Sequence, residues 1–142
     1  MLCGISQKTE GLIPEIRNEG CLFLCFAYTS PLTFSDKSGV IALNHLWNLA
    51  KEKGIISSNN EVQNHTKLAK EIFALSAYYD DKHHEAEEEI PAAVRFAFGQ
   101  FEWKYKHFVV INSKKEVIFD PLIISNSVKN GKLISMRWYY AD

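Results

Sequence analysis

Long apolar runs are missing from this sequence. The longest, Cys21–Tyr28 and Phe108–Ile111, fall far short of the ~20 residues that a membrane-spanning helix needs, so no membrane partner is expected. Cysteine is scarce: Cys3, Cys21 and Cys25 form an odd set without a C-x-x-C pair, which excludes a disulfide framework and a zinc site built from cysteines alone. A surplus of charge is lacking too. Sixteen Lys and Arg against seventeen Asp and Glu leave a formal net charge of −1, so no global positive field exists to gather nucleic acid. The segment Met1–Lys8 shows no basic start followed by an apolar run, so no secretory signal is legible and a cytoplasmic protein is expected. Internal repeats and low-complexity tracts are absent as well.

What is present is the composition of one ordered domain, with 46% hydrophobic and 13% aromatic residues over 142 positions. A folded chain of that length buries roughly 68–70% of the surface its unfolded form exposes, enough for a core without metal or disulfide staples. A single domain over residues 1–142 is therefore expected, with no cofactor. Residues 1–20 hold Gly4, Gly11, Pro14 and Gly20 without sustained periodicity and read as an irregular lead-in. From Cys21 the positions Cys21, Leu24, Cys25 and Tyr28 recur at helical spacing. Leu22, Phe23 and Phe26 make the other faces apolar, which predicts a buried helix ending before Pro31.

A second helix is signalled by Ser38 as cap, the apolar series Val40 to Ala50, and Gly54 just past its end. Asn64 or Thr66 opens a third through Leu68, Ala69, Ile72 and Phe73. Leu75, Ala77 and Tyr79 then alternate with polar neighbours as a short strand would. Residues 80–90 carry too much charge to bury and precede Pro91, so they read as an exposed acidic loop; its His83 and His84 are read as part of a solvated charged face rather than as metal ligands. Strands are expected at Ala93–Phe98, Glu102–Ile111 and Glu116–Phe119, with Gly99 separating the first two. Asn130-Gly131 reads as a hairpin dipeptide leading into Lys132–Tyr140. Helices followed by antiparallel strands make the class α+β. Trp47, Trp103 and Trp138 read as core.

Cys21 is the first candidate for chemistry. A thiol at a helix N-terminus faces unpaired N–H groups and the positive end of the helix dipole, which favours the nucleophilic thiolate. Asn18 and Gly20 beside it offer an amide side chain and a main-chain N–H as an oxyanion site. His107 opens an apolar run and Asp120, thirteen positions later, closes another across the polar turn Asn112–Lys115. Antiparallel pairing brings both to one end of a sheet, where the carboxylate orients the imidazole. Cys25 reads as core, and Cys3 carries no argument.

Gly20-Cys21 opening a helix, the run His107-Phe108-Val109-Val110-Ile111, and Val117-Ile118-Phe119-Asp120-Pro121 resemble the Cys, His, Asp order of papain-like cysteine peptidases, nearest to the double-glycine bacteriocin-processing type. The resemblance covers roughly residues 15–35 and 100–125. It implies a Cys-bearing N-terminal helix packed on an antiparallel sheet, with Cys21 as nucleophile, His107 as general base and Asp120 as orienter. It departs from the pattern at the oxyanion residue. The processing peptidases carry a Gln a few residues before the Cys, whereas positions 15–20 here read Glu-Ile-Arg-Asn-Glu-Gly. Asn18 substitutes with a shorter reach, Gln7 folds back, or the site is inactive. The whole chain is also similar to a small uncharacterised family of plasmid- or phage-borne spirochaete proteins. The expected function is a thiol peptidase or amidase acting on a peptide or protein substrate; the alternative is a catalytically silent papain-like module that binds a peptide or protein.

Overall fold

In the computed structural model, residues 1–75 and 79–140 are described, the side chains of 79–81 excepted. The chain divides into two compact units, Met1–Leu75 and Ser76–Asp142. The class is α+β, with the helices concentrated in the first unit and the larger sheet in the second.

The first unit begins with β1 (Leu2–Cys3) and α1 (Pro14–Glu19), so the expected irregular lead-in is wrong. Pro14 starts α1, where its fixed φ suits a helix and its missing N–H costs nothing. After Gly20 comes α2 (Cys21–Thr29), in which Leu22 to Ala27 and Thr29 are all buried, as the apolar faces predict. Phe23 is its anchor, with ring centroids 5.1 Å from Trp47 and 4.9 Å from Phe73, both edge-on. The helix stops at Ser30-Pro31, and the Ser30 hydroxyl donates to the Phe73 carbonyl at 2.6 Å.

β2 (Phe34–Ser35) pairs in parallel with β1 and runs directly into α3 (Asp36–Glu52). That helix starts two residues before the expected cap at Ser38, with Ser35 at its N-cap position, and buries Val40, Leu43, Trp47 and Ala50 along one stripe. The short α4 (His65–Lys67) is capped as the sequence suggests, Asn64 Oδ1 accepting the Lys67 N–H at 3.0 Å, and continues as a π-helical turn over Leu68–Ile72. The strand expected from Leu75, Ala77 and Tyr79 falls mainly on 76–78, outside the described residues.

The second unit is a five-stranded antiparallel sheet of β3 (Tyr79–Glu85), β4 (Val94–Glu102), β5 (Lys106–Ile111), β6 (Val117–Phe119) and β7 (Lys132–Tyr140), in the order β3-β7-β4-β5-β6. The last strand thus inserts between the first two. One face packs Val94, Ala97, Val109, Ile111, Met136 and Trp138.

Three sequence readings fail in this unit, each for an identifiable reason. Residues 79–85 are an edge strand rather than a loop, because backbone pairing with β7 is indifferent to charged side chains such as those of Lys82 and Glu85, which are exposed. Gly99 lies inside β4 instead of ending it: a Cβ there would stand 3.0 Å from Leu133 Cδ1 and 3.2 Å from Ile111 Cδ1, so the glycine admits its neighbours. Asn130-Gly131 is no hairpin. Asn130 ends the short α5 (Asn126–Asn130), and the Gly131 N–H returns to the Ser127 carbonyl before β7 begins.

Candidate active site

His107 is the second residue of β5, on the same face as Val109 and Ile111, because alternate residues of a strand share a face. Asp120 follows β6 directly. The two side chains, each 3% exposed, meet with His107 Nε2 2.7 Å from Asp120 Oδ1, the contact that the hairpin spacing predicts. An ionised carboxylate only accepts hydrogen bonds, so Nε2 carries the proton and Nδ1 is the basic nitrogen of the neutral ring.

Asp120 is held from several directions. Oδ1 also accepts the Leu122 N–H at 2.9 Å, and Oδ2 accepts the Ser125 N–H at 2.8 Å. Burial opposes ionisation and is the largest single influence on this carboxyl. The hydrogen bonds from His107, the Leu122 N–H and both the hydroxyl and N–H of Ser125 together outweigh it, bringing the pKa from 3.8 down to about 2. Sequence reasoning missed Leu122 and Ser125. The available signal was Ser125 in front of a short helix, where its hydroxyl accepts the Val128 N–H at 3.3 Å. The backbone between them is tightly bent: Ile123 has φ +72, and Ile124 N–H reaches the Leu122 carbonyl at 2.9 Å, a γ-turn that is rare for a β-branched residue.

Cys21 stands in the first unit as the first residue of α2 and is half-buried, whereas Cys25 one turn later is fully buried and Cys3 is exposed in β1. Cys3 and Cys21 are free thiols. Gly20 before it is required sterically, since a Cβ there would lie 2.6 Å from the Ile16 carbonyl oxygen. Its N–H closes on that same oxygen at 2.9 Å, ending α1 one residue ahead of the thiol.

The two oxyanion candidates are placed differently. Asn18 lies exposed within α1. Gln7 is buried, and its Nε2 donates to the Ile16 carbonyl at 3.1 Å and the Arg17 carbonyl at 3.2 Å. Its Oε1 is buried with no partner among the described residues, a cost of roughly 1–3 kcal/mol, and the two carbonyls on Nε2 fix which way the amide points.

The acidic segment offers no such cluster. His83 is exposed beside Glu85, while His84 is buried, stacked on Trp138 with centroids 3.4 Å apart, its Nδ1 3.5 Å from Glu88. The Glu88 carboxyl lies below its usual range, chiefly through a hydrogen bond from the Glu85 N–H and further through His84. Trp47 and Trp138 are core, as expected. Trp103 is not: it is 42% exposed at the β4–β5 turn, with Lys104 Nζ 4.7 Å above its ring. Among the described residues, no helix is long and apolar enough to cross a membrane, and no three His, Cys, Asp or Glu side chains converge as a metal site requires.

No curated protein and no solved structure matches the chain. A protein family does, over residues 1–141, nearly the whole sequence on which the helical unit and the sheet unit are built. The chain belongs to that family, described as "Protein of unknown function, DUF261".

Proposed function

We propose that the protein is a thiol hydrolase of papain-like type that cleaves a peptide or amide bond in a peptide or protein substrate. The buried 2.7 Å contact between His107 Nε2 and Asp120 carries this reading. A fully desolvated imidazole held in one tautomer by an ionised, fourfold hydrogen-bonded carboxylate is a poor device for stability and a good one for moving a proton. The half-buried Cys21 at the start of α2 supports it as nucleophile, and an odd set of cysteines without a C-x-x-C pair suits a reducing, cytoplasmic setting.

In this mechanism the Cys21 sulfur attacks the substrate carbonyl while His107 Nδ1 takes the thiol proton. Asp120 keeps Nε2–H fixed and stabilises the imidazolium that forms. His107 then gives the proton to the leaving amine, leaving a thioester on Cys21. Water, deprotonated by His107, releases the acid and restores the thiol.

A second reading draws on the oxyanion residues. With both N–H groups of Gln7 engaged by α1 carbonyls, this amide is not offered to an acyl oxygen, which favours a silent peptide-binding module. Alkylation by iodoacetamide at neutral pH in a Cys3→Ser background separates the two. The hydrolase reading expects Cys21 to label faster than free cysteine and His107→Ala to slow it by at least about tenfold. Labelling of Cys21 no faster than free cysteine, with no dependence on His107, would leave the silent module.

A further inference from the structure

The large apolar side chains that the second unit leaves in water are gathered rather than scattered. Among its described residues they are Trp103, Tyr105, Ile118, Ile123 and Ile124, exposed by 42% to 73%. Four of the five stand on two tips. Trp103 and Tyr105 make the turn from β4 to β5, and Ile123 and Ile124 lie in the bend between β6 and α5. The tips share one end of the sheet, since Asp120 at the root of the bend meets His107 near the start of β5, and the Ser127 hydroxyl of α5 donates to the Tyr105 carbonyl at 3.1 Å.

That end is also basic. Lys104, Lys106, Lys129 and Lys132 are exposed on these segments, against one exposed acid, Glu102, which stands opposite both Lys106 and Lys132 in the ladder. The acidic run 85–89 is drawn the other way: the Ala86 carbonyl accepts Lys115 Nζ at 2.6 Å, and Lys115 belongs to the β5–β6 turn at the opposite end of the sheet.

The backbone of the bend distinguishes what can cover it. An extended peptide docks on free main-chain groups. Here the Leu122 and Ser125 N–H groups are on the Asp120 carboxylate, that of Ile123 is on the Asp120 carbonyl at 2.8 Å, and that of Ile124 is on the Leu122 carbonyl at 2.9 Å. Four successive donors are spent inside the bend while two isoleucine side chains face water. A bilayer suits that combination, because apolar side chains gain by leaving water and unpaired N–H groups are costly in hydrocarbon. Trp and Tyr favour the headgroup level, and lysine stems reach along apolar surface to place their charge on phosphate. Crossing a membrane needs a long apolar run, but lying on one does not.

We infer that this end of the sheet is a docking surface for an anionic lipid bilayer, with Ile123, Ile124 and Trp103 entering the interface and the four lysines facing lipid phosphates. The inference goes beyond the thiol-hydrolase reading and does not depend on it.

Co-sedimentation of the full chain with vesicles of phosphatidylcholine containing about one-third phosphatidylglycerol tests it. Binding exceeds that to pure phosphatidylcholine by at least about tenfold and weakens as salt is added. Trp47 and Trp138 are buried, so a blue shift of tryptophan emission on binding reports Trp103. Ile123→Asn combined with Ile124→Ser lowers binding at least about tenfold, and each of the four lysines changed to Gln lowers it about fivefold. These side chains are exposed, so thermal melting stays near that of the parent, and the lysine variants decide where the isoleucine pair does not fold. No binding to the anionic vesicles, equal binding to the neutral ones, or bound protein with unshifted emission would overturn the inference. So would undiminished binding by both sets of variants. Retention of oligo-dT or poly-glutamate without retention of vesicles would also overturn it, assigning the surface to nucleic acid or to an acidic peptide.

Discussion

The two units bury polar groups for different purposes. In Met1–Leu75 the buried polar side chains serve the backbone: Gln7 ties Ile16 and Arg17, Ser30 ties Phe73, and Thr29 ties Cys25 and Phe26, around an aromatic cluster of Phe23, Trp47 and Phe73. In Ser76–Asp142 a buried polar contact joins two side chains, His107 and Asp120, on the face of an apolar sheet. Side chain to backbone bonds complete a fold whose carbonyls would otherwise be orphaned. A buried side-chain pair completes no backbone group, and it is the contact on which the proposed hydrolase reading rests.

Deleting the aromatic anchor is the harshest way to sharpen that contrast. Phe23→Ala removes a fully buried ring from contact with Trp47 and Phe73 and is expected to cost about 3–5 kcal/mol, read from the urea midpoint. A loss below about 1 kcal/mol would show that the cluster does not carry the first unit.

Acid unfolding probes the other unit. Because the Asp120 pKa is depressed from 3.8 to about 2, its contribution is fully present above about pH 4 and is lost as pH falls through about 2. Asp120→Asn removes that contribution, worth about 2 kcal/mol, and flattens stability between about pH 4 and 2. It also slows Cys21 alkylation through loss of tautomer control, though less than His107→Ala does. Identical acid profiles for parent and variant would break the claim that this carboxylate is buried and ionised.

The two cysteines of α2 should separate next. Cys25→Ser places a hydroxyl in a fully buried apolar position and is expected to cost about 1–3 kcal/mol, whereas half-buried Cys21→Ser costs under about 1 kcal/mol and abolishes labelling and any hydrolysis. Thermal melting with mass-spectrometric mapping of the label checks both. Equal destabilisation would make Cys21 a packing residue.

The smallest effect belongs to the exposed ion pair between Lys53 and Glu71, 3.3 Å apart. Lys53→Ala should change stability by under about 0.5 kcal/mol. Raising the salt should leave that difference no larger, as melting at two ionic strengths will show.

Local signals in the chain settled the elements that depend on near neighbours. The all-round apolar pattern of residues 21–28 made α2 a buried helix, Asn64 capped α4, and the separation of His107 from Asp120 across a polar turn brought imidazole to carboxylate. These are matters of period and reach, which a sequence carries directly. What depends on distant partners was decided only by the tertiary structure. Residues 79–85 became a strand because β7 was there to pair with them, and Gly99 stayed inside β4 because Leu133 and Ile111 close over it. Asp120 stays ionised in an apolar setting because Ser125 and Leu122 fold back to it. Gln7 reaches the end of α1 from nine and ten residues away, a contact whose spacing has no period to betray it. Hydrogen bonds satisfied by folding back, and space closed by remote side chains, leave no regular mark on the chain that makes them.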